Sequence, residues 1–297
     1  MSVNFLHVFS AGLKDIWKNP VLFVPNLLSS VLSAALFFLM FAATALIFFQ
    51  DFYFDFSSGF EFIMPPNVLE DSSIIVVVAF LVYCLASWLL SLYIHAGLIG
   101  MSKEAAESGK TTFSTLFSCG RKYFFRFVSA SVLMGLVFLL PISISALILV
   151  LLYGFFLTIS SKVLLVLLTF AAFVLLFVLA VSILVFYIYL HFVFYSIIAD
   201  NLSAVQGIRK SVFVFNADKL TVLFFLLVLF IFSMVFGIAS IALSLLGAIP
   251  TIGIIFIALR FLLRLFKNII LGTVTAVWNT RMYSALTADA FNNDDTI

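Results

Sequence analysis

Six long apolar stretches alternate with short polar belts along the 297-residue chain. A helix that crosses a bilayer needs roughly 20 mostly apolar residues, because about 30 Å of hydrocarbon is crossed at about 1.5 Å per residue. The stretches that meet this length lie near Val21 to Phe49, Ile74 to Gly100, Phe127 to Leu157, Val163 to Ala199, Leu220 to Leu246, and Ile252 to Met282. The pattern predicts an all-α polytopic bundle of six transmembrane helices, built as a single membrane domain over residues 1–297.

The polar segment ahead of each odd-numbered stretch has the pattern of an amphipathic helix. Apolar residues recur there at three- and four-residue steps, with basic residues on the opposite face. The apolar positions are Leu6, Phe9, Leu13 and Ile16, then Phe113, Leu116, Phe117 and Phe124, and finally Leu202, Val205, Ile208, Val212 and Phe215. Such helices can lie in the headgroup layer with their cations toward anionic lipid, so we expect three interfacial helices.

The even-numbered stretches end in a recurring pattern: an aromatic residue, a polar residue two positions later, and an acidic residue nine positions after the polar one. The three sets are Tyr93, His95 and Glu104, then Tyr189, His191 and Asp200, and then Trp278, Thr280 and Asp289. Together with the amphipathic segments they predict a threefold internal repeat of interfacial helix, span and span, in units 1–100, 101–199 and 200–297. The alternative is that basic loops and aromatic belts produce similar punctuation in any six-span protein.

Composition excludes a soluble monomer. Hydrophobic residues make up 65% of the chain and charged residues 9%, with a mean hydropathy of +1.31, so polar groups cannot cover the apolar surface. The bilayer must act as the solvent, and membrane lipids are the expected partners. A formal charge of +2 is too small to suggest nucleic acid, and a protein partner or a homo-oligomer is left open.

The distribution of charge predicts the orientation, because Lys and Arg in short loops are retained in the cytoplasm. Eleven basic residues fall on one side of the predicted spans, and only Lys162 falls on the other. The eleven are Lys14, Lys18, Lys103, Lys110, Arg121, Lys122, Arg126, Arg209, Lys210, Lys219 and Arg281. The first opposite loop, from Asp51 to Asp71, has acidic residues and no basic ones. We therefore expect a multi-pass protein of the cell membrane with both termini in the cytoplasm.

Four segments resemble a known membrane family: GLKDIWKNPVLFVPNLL, KEAAESGKTTFSTLF, NLSAVQGIRKSVFVFNADKLTVLFFLL and LGAIPTIG. Together they are similar to the six-span family that includes the membrane domain of some bacterial glycerophosphodiester phosphodiesterases and related prokaryotic and archaeal proteins. The resemblance implies the six-span architecture. It implies no catalytic residue, because the soluble catalytic barrel of those phosphodiesterases has no counterpart in this chain.

The remaining basic residues, Arg260, Arg264 and Lys267, are four and three positions apart within an apolar run, so a regular helix places them on one face. A charge at the middle of a bilayer costs about 2.5 to 3.5 kcal/mol on insertion scales. One interpretation is a cationic groove that binds an anionic lipid headgroup or phosphate. The other is that Ile252 to Phe266 lies in the interface and the crossing begins near Asn268.

His95 and His191 occupy equivalent positions of the predicted repeat and could be read as a metal or proton-relay pair. No His, Cys or Asp lies three or four residues from either one to complete a metal site, so we interpret both as polar residues of the membrane interface and predict no metal and no cofactor.

No catalytic motif is present: the chain lacks a nucleophile elbow, a P-loop, a dinucleotide fingerprint and an HExxH motif. The sequence favours a non-catalytic membrane protein that organises, senses or binds anionic lipid. The alternative is a transporter or lipid-moving permease whose path runs beside the cationic groove.

Overall fold

The computed structural model of the chain describes residues 4–50, 68–158, 161–247, 249 and 253–294, and within these ranges it contains no β-strand. The helices are α1 (Phe5–Lys18), α2 (Val24–Gln50), α3 (Val68–Ser108), α4 (Phe113–Thr158), α5 (Lys162–Leu190), α6 (Val193–Ala199), α7 (Ala204–Ala217), α8 (Lys219–Leu246), α9 (Gly253–Phe266) and α10 (Gly272–Asp294). A 3-10 turn, Pro20–Phe23, leads into α2, and a π-helical turn, Lys267–Leu271, joins α9 to α10.

Five helical stretches among the described residues are long and apolar enough to cross a membrane. They are Pro20–Ala45, Ile74–Ser108, Phe113–Phe156, Lys162–Ala199 and Lys219–Leu246. The chain is therefore an all-α, multi-pass membrane protein. The sixth predicted span is helical from Gly253 onward, but the π-helical turn divides it into the 14-residue α9 and α10, and it is not among the five stretches, so the sixth crossing stays a prediction.

Side-chain caps explain where several helices begin. Asn4 Oδ1 accepts a hydrogen bond from the backbone N–H of His7 at the start of α1, and Asp218 Oδ1 accepts one from Thr221 at the start of α8. Ser203 and Gln206 form a reciprocal capping box at the start of α7. Each cap satisfies backbone N–H groups that have no partner inside the helix.

The second amphipathic segment differs from the prediction. It is continuous with the following span in α4, a single helix of 46 residues. The first segment ends at Asn19 and Pro20 and the third at Asp218, whereas no such helix-breaking residue follows Phe124. The predicted fourth span differs in the opposite way, because it is interrupted near His191 and continues as α6.

Two sequence features lie outside the description. Most of the acidic loop from Asp51 to Asp71 falls in residues 51–67, and the side chains of Glu70 and Asp71 belong to a segment whose side chains are not described. The side chain of Asp289, the last acid of the predicted repeat, is not described either.

The helices form three hairpins, α2 with α3, α4 with α5 and α8 with α9, whose partners pack side by side. The buried core lies at one end of the hairpins, where the end of α3, the start of α4, and α6, α7, α10 and α1 meet; we call this region the hub. Its largest fully buried side chains include Leu98, Leu116, Phe127, Phe192 and Tyr283, and Phe225 at the start of α8 packs into the same core. Away from the hub, apolar side chains such as Leu140 (66% exposed) and Phe173 (67%) cover the surface.

Charged and polar side chains tie the hub together. Arg281 makes two hydrogen bonds to the carboxylate of the buried Asp15, at 2.7 and 2.9 Å, and so joins α10 to α1. Lys103 donates to the carbonyl of Ala199 at 2.8 Å at the end of α6, and Arg126 donates to Asn201 Oδ1 at 2.9 Å. The basic belts of the sequence therefore serve helix packing as well as surface charge.

Asp200 makes a further tie to α10. Burial raises the pKa of Tyr283, and the neighbouring Asp200 carboxylate raises it further. The phenol therefore stays protonated at neutral pH and donates to Asp200 Oδ2 at 2.7 Å.

Candidate functional site

A polar pocket of about 420 Å³ lies beside the hub, where the start of α2, the end of α3, α6 and the π-helical turn meet. It is open to the surface rather than enclosed. The lining residues are Asn26, Ser29, Ser30, His95, Leu98, Tyr195, Lys267, Asn268, Leu271, Gly272, Thr275 and Ala276. Its size falls in the range of small-molecule sites, about 300 to 1,000 Å³.

The π-helical turn shapes one wall of this pocket. Lys267 and Asn268 begin the turn and Leu271 ends it, and all three line the cavity. A π turn inserts an extra residue into a helix, and such turns occur frequently at functional sites. Here the turn places two consecutive polar side chains, Lys267 and Asn268, at the same cavity.

Asn26 holds α2 against the residues that follow the turn. Its side-chain nitrogen donates to Thr273 Oγ1 at 2.9 Å, and a Cβ at Gly272 would stand 3.0 Å from the same nitrogen. Glycine at 272 thus permits the close approach of α2 to α10. Ser29 and Ser30 follow Asn26 by three and four positions, which brings all three to the same face of α2.

Several polar groups of the pocket are free to bind a ligand. Within the described part of the chain, the side chains of Ser29, His95, Lys267, Asn268 and Thr275 line the pocket without a hydrogen-bond or ion-pair partner. None of the described lining residues is Asp or Glu. The cavity therefore combines one cation with neutral donors and acceptors, an arrangement that favours an anionic ligand.

The two predicted histidines have different surroundings. His95 lines the pocket, and its ring centroid lies 5.8 Å from that of Phe194 and 6.5 Å from that of Tyr195. His191 lies outside the lining, with Nε2 at 2.7 Å from Asn279 Oδ1. Among the residues described, no group of three or more His, Cys, Asp or Glu side chains could hold a metal ion.

Of the three basic residues predicted to form one groove, only one lines this pocket. Lys267 lines the pocket. Arg260 is half-buried and donates to Ser244 Oγ on α8 at 3.0 Å, while its Nε has no partner among the described residues. Arg264 is exposed. Because Arg260 precedes Lys267 by seven positions at about 1.5 Å of rise per residue, it lies about 10 Å away along the helix axis.

Sequence reasoning missed most of the pocket. Asn26, Ser29, Ser30, Asn268 and Thr275 are polar residues inside predicted spans, and polar groups at membrane depth are a functional signal. The three- and four-residue spacing of Asn26, Ser29 and Ser30 could be seen in the sequence. Their meeting with Lys267 and His95 could not.

Comparison with known proteins identifies a family and no activity. A family model described as "Domain of unknown function (DUF7847)" matches residues 3–286. The chain belongs to this family. No curated protein and no solved structure matches the chain.

Proposed function

We propose that this DUF7847 protein is a non-catalytic membrane protein that binds anionic lipid, with the negative charge of the headgroup beside Lys267. The observation that carries the proposal is Lys267, which has no counter-charge among the described residues and lines a polar pocket that no described carboxylate lines. An unpaired charge within a membrane protein is costly and is generally retained for function. A bound anion would compensate the lysine.

The surroundings of Lys267 fit a headgroup better than an isolated ion. Ser29, Asn268 and Thr275 add neutral polar groups, and Leu98, Leu271 and Ala276 provide apolar wall. A lipid presents the same combination, with polar atoms at one end and hydrocarbon at the other. The open form of the pocket would let the acyl chains remain in the bilayer while the headgroup enters.

The exposed face of α1 supports a role at the lipid surface. Leu6 is 81% exposed and Trp17 is 84% exposed, and Leu13 lies between them on the same side of the helix. Lys14 and Lys18 are exposed beside this apolar stripe. Apolar side chains flanked by cations are the features of an interfacial helix, so we place α1 in the headgroup layer.

Three hydrogen bonds made by the recurring aromatic residues support the threefold repeat. Tyr93 Oη donates to the carbonyl of Phe117 in α4, and Trp278 Nε1 donates to that of Phe9 in α1, both at 3.3 Å. Tyr189 accepts through its carbonyl from Ser211 in α7 at 2.8 Å. Each of these residues thus contacts the first helix of the following unit, and the Trp278 contact returns from the third unit to the first. We propose a closed ring of three units.

Six crossings, cytoplasmic termini and location in the cell membrane belong to the same proposal. The antiparallel packing of α9 on α8 supports a sixth crossing through α9 and the π turn. With the basic belts in the cytoplasm, the pocket and the hub lie toward the cytoplasmic side. The similarity to the membrane domain of glycerophosphodiester phosphodiesterases is proposed at the level of architecture.

A transporter or lipid-moving permease is the second proposal. The π turn interrupts the α-helical pattern of the last helix at the pocket, and interrupted helices form the binding sites of many transporters. Transport requires that the pocket become accessible from both sides of the membrane. Flux of a fluorescent anionic lipid between leaflets of proteoliposomes would support this function, and binding without flux would contradict it.

Lipid retention by the purified protein tests the first proposal. We expect native mass spectrometry to detect bound phosphatidylglycerol on the wild-type chain and about tenfold less on Lys267→Gln, because loss of a hydrogen-bonded charge pair costs about 1.5 to 3 kcal/mol. Arg264→Gln is the matched control, since it removes one positive charge from the same helix outside the pocket. An equal decrease in bound phosphatidylglycerol in both variants, or no decrease in either, would contradict a site at Lys267.

A further inference from the structure

We propose that the pocket selects a phosphodiester with a single negative charge and a polyhydroxylated headgroup, as in phosphatidylglycerol or phosphatidylinositol. This inference rests on the proposed function and names the class of its ligand. It follows from the balance of charged and hydroxyl-bearing groups around the cavity.

Charge sets the first limit. Lys267 is the only Lys or Arg among the described lining residues, and none of those residues is acidic. A zwitterionic headgroup would bring an ammonium group that finds no carboxylate in the pocket. A headgroup with a second phosphate would find no second cation there, because Arg264 is exposed and Arg260 donates to Ser244. A single phosphodiester matches the one available charge.

Hydrogen bonding sets the second limit. Ser29, Asn268 and Thr275 have side chains that both donate and accept, and none has a protein partner in the described part of the chain. The hydroxyl groups of a polyol also donate and accept, so they can pair with each of these side chains. A pocket built to bind hydroxyl groups discriminates against a ligand without them, because its own polar groups are then left unpaired.

The positions of these groups fit a ligand with a phosphate at one point and a polyol around it. Lys267 and Asn268 are consecutive in the π turn, Ser29 is on α2, and Thr275 is in the next helix, α10. The phosphate is assigned to Lys267, and the polyol to the surrounding hydroxyl and amide groups. Tyr195 and His95 provide flat walls that a ring or a short polyol can pack against.

The test compares three anionic lipids of equal net charge, with one zwitterionic lipid as the reference. Purified full-length protein in detergent is mixed with phosphatidylglycerol, phosphatidylinositol, phosphatidylserine or phosphatidylcholine at equal mole fraction, and bound lipid is counted by native mass spectrometry. We expect the two polyol lipids to bind about tenfold more tightly than phosphatidylserine, a difference of about 1.4 kcal/mol, because their hydroxyl groups add hydrogen bonds to the pocket. Phosphatidylcholine is expected to bind most weakly.

The double variant Ser29→Ala with Thr275→Val removes two hydroxyl groups while nearly preserving side-chain volume. It should lower polyol-lipid binding to the level of phosphatidylserine and leave phosphatidylserine binding unchanged. The matched control, Thr169→Val with Ser182→Ala, removes two hydroxyl groups from α5, where each donates to a carbonyl of its own helix. Thermal unfolding of both double variants checks that the fold is intact.

Each outcome has a separate meaning. Equal binding of all three anionic lipids, unaffected by the pocket variant, would overturn polyol selection and leave the proposed function standing. If Lys267→Gln binds every lipid as well as the wild-type chain does, the proposed function itself would be overturned. Water-soluble glycerophosphoglycerol provides the last arm: displacement of lipid by this probe at similar concentration would support the phosphodiester chemistry and assign the ligand to a soluble source, against the proposed lipid.

Discussion

The hub and the far ends of the hairpins are stabilised in different ways. In the hub, buried apolar side chains surround specific polar contacts such as Asp15 with Arg281. At the far ends, the described side chains are mostly apolar and exposed, as Leu140 and Phe173 illustrate. Within a bilayer, lipid contacts replace protein contacts at such surfaces at little cost, because lipid tails are as apolar as leucine. The relative placement of the three hairpins therefore depends on the hub.

The largest effect is expected from breaking the contact between α1 and α10. Arg281→Ala removes both hydrogen bonds to Asp15 and leaves a buried carboxylate without its counter-charge. Loss of one partner of a buried pair costs about 3 to 5 kcal/mol. Thermal unfolding in detergent should show a large decrease in stability, whereas Lys18→Ala, at an exposed position of α1, should change it little.

The double variant Asp15→Asn with Arg281→Gln separates charge from packing. Because it leaves no unpaired charge, it should recover much of the stability lost in Arg281→Ala. If Arg281→Ala unfolds at the same temperature as the wild-type chain, the hub does not depend on this pair.

A second prediction uses glycines, which occur in both regions. A Cβ at Gly97 in the hub would stand 2.6 Å from the backbone carbonyl oxygen of Leu116, whereas a Cβ at Gly237 in α8 meets no atom within 4 Å. Gly97→Ala should destabilise by about 1 to 3 kcal/mol, since backbone must move to admit the methyl group. Gly237→Ala should stabilise by about 0.5 to 1 kcal/mol, as alanine does in a helix.

Denaturant or thermal unfolding of the two variants under identical conditions decides this comparison. If the two variants change the free energy of unfolding in opposite directions, the result supports a close-packed hub and loosely packed far ends. A stabilising Gly97→Ala would mean that α3 and α4 are less tightly packed than their geometry indicates.

The difference between local and long-range contacts explains which features could be predicted from the sequence. Long apolar runs and caps depend on neighbouring residues, so the membrane class and most helices followed from local pattern. For that reason, the ends of the first and third amphipathic segments near Pro20 and Asp218 could be predicted from the sequence. The continuity of α4 was missed because basic residues at its start resemble an interfacial belt, although no breaking residue follows Phe124. The division of the fourth span into α5 and α6 had no such local signal.

The pocket was less predictable, because it depends on contacts between distant parts of the chain. Asn26 and Thr273 are joined by a hydrogen bond across 247 positions, and only the folded hub brings His95 to the same cavity. Lys267 was found from its charge within an apolar run. That Lys267 lines the pocket while Arg260 and Arg264 do not depends on how α2, α3 and α6 pack beside the π turn, which helical spacing alone does not predict.

A third prediction concerns the pocket, on the border between the two regions. Lys267→Met removes from a partly buried position a cation that has no ion-pair partner among the described residues, so it should raise stability in zwitterionic lipid by about 1 kcal/mol. The wild-type chain should instead gain stability when phosphatidylglycerol is added, because a ligand that binds only the folded state stabilises it, by about 2.7 kcal/mol at a hundred times the dissociation constant. The variant should gain much less. Thermal unfolding of both proteins across a series of phosphatidylglycerol fractions measures the difference. Parallel gains in both would place the lipid effect on the general surface of the bundle instead of the pocket, since only a ligand that contacts Lys267 can distinguish the two chains.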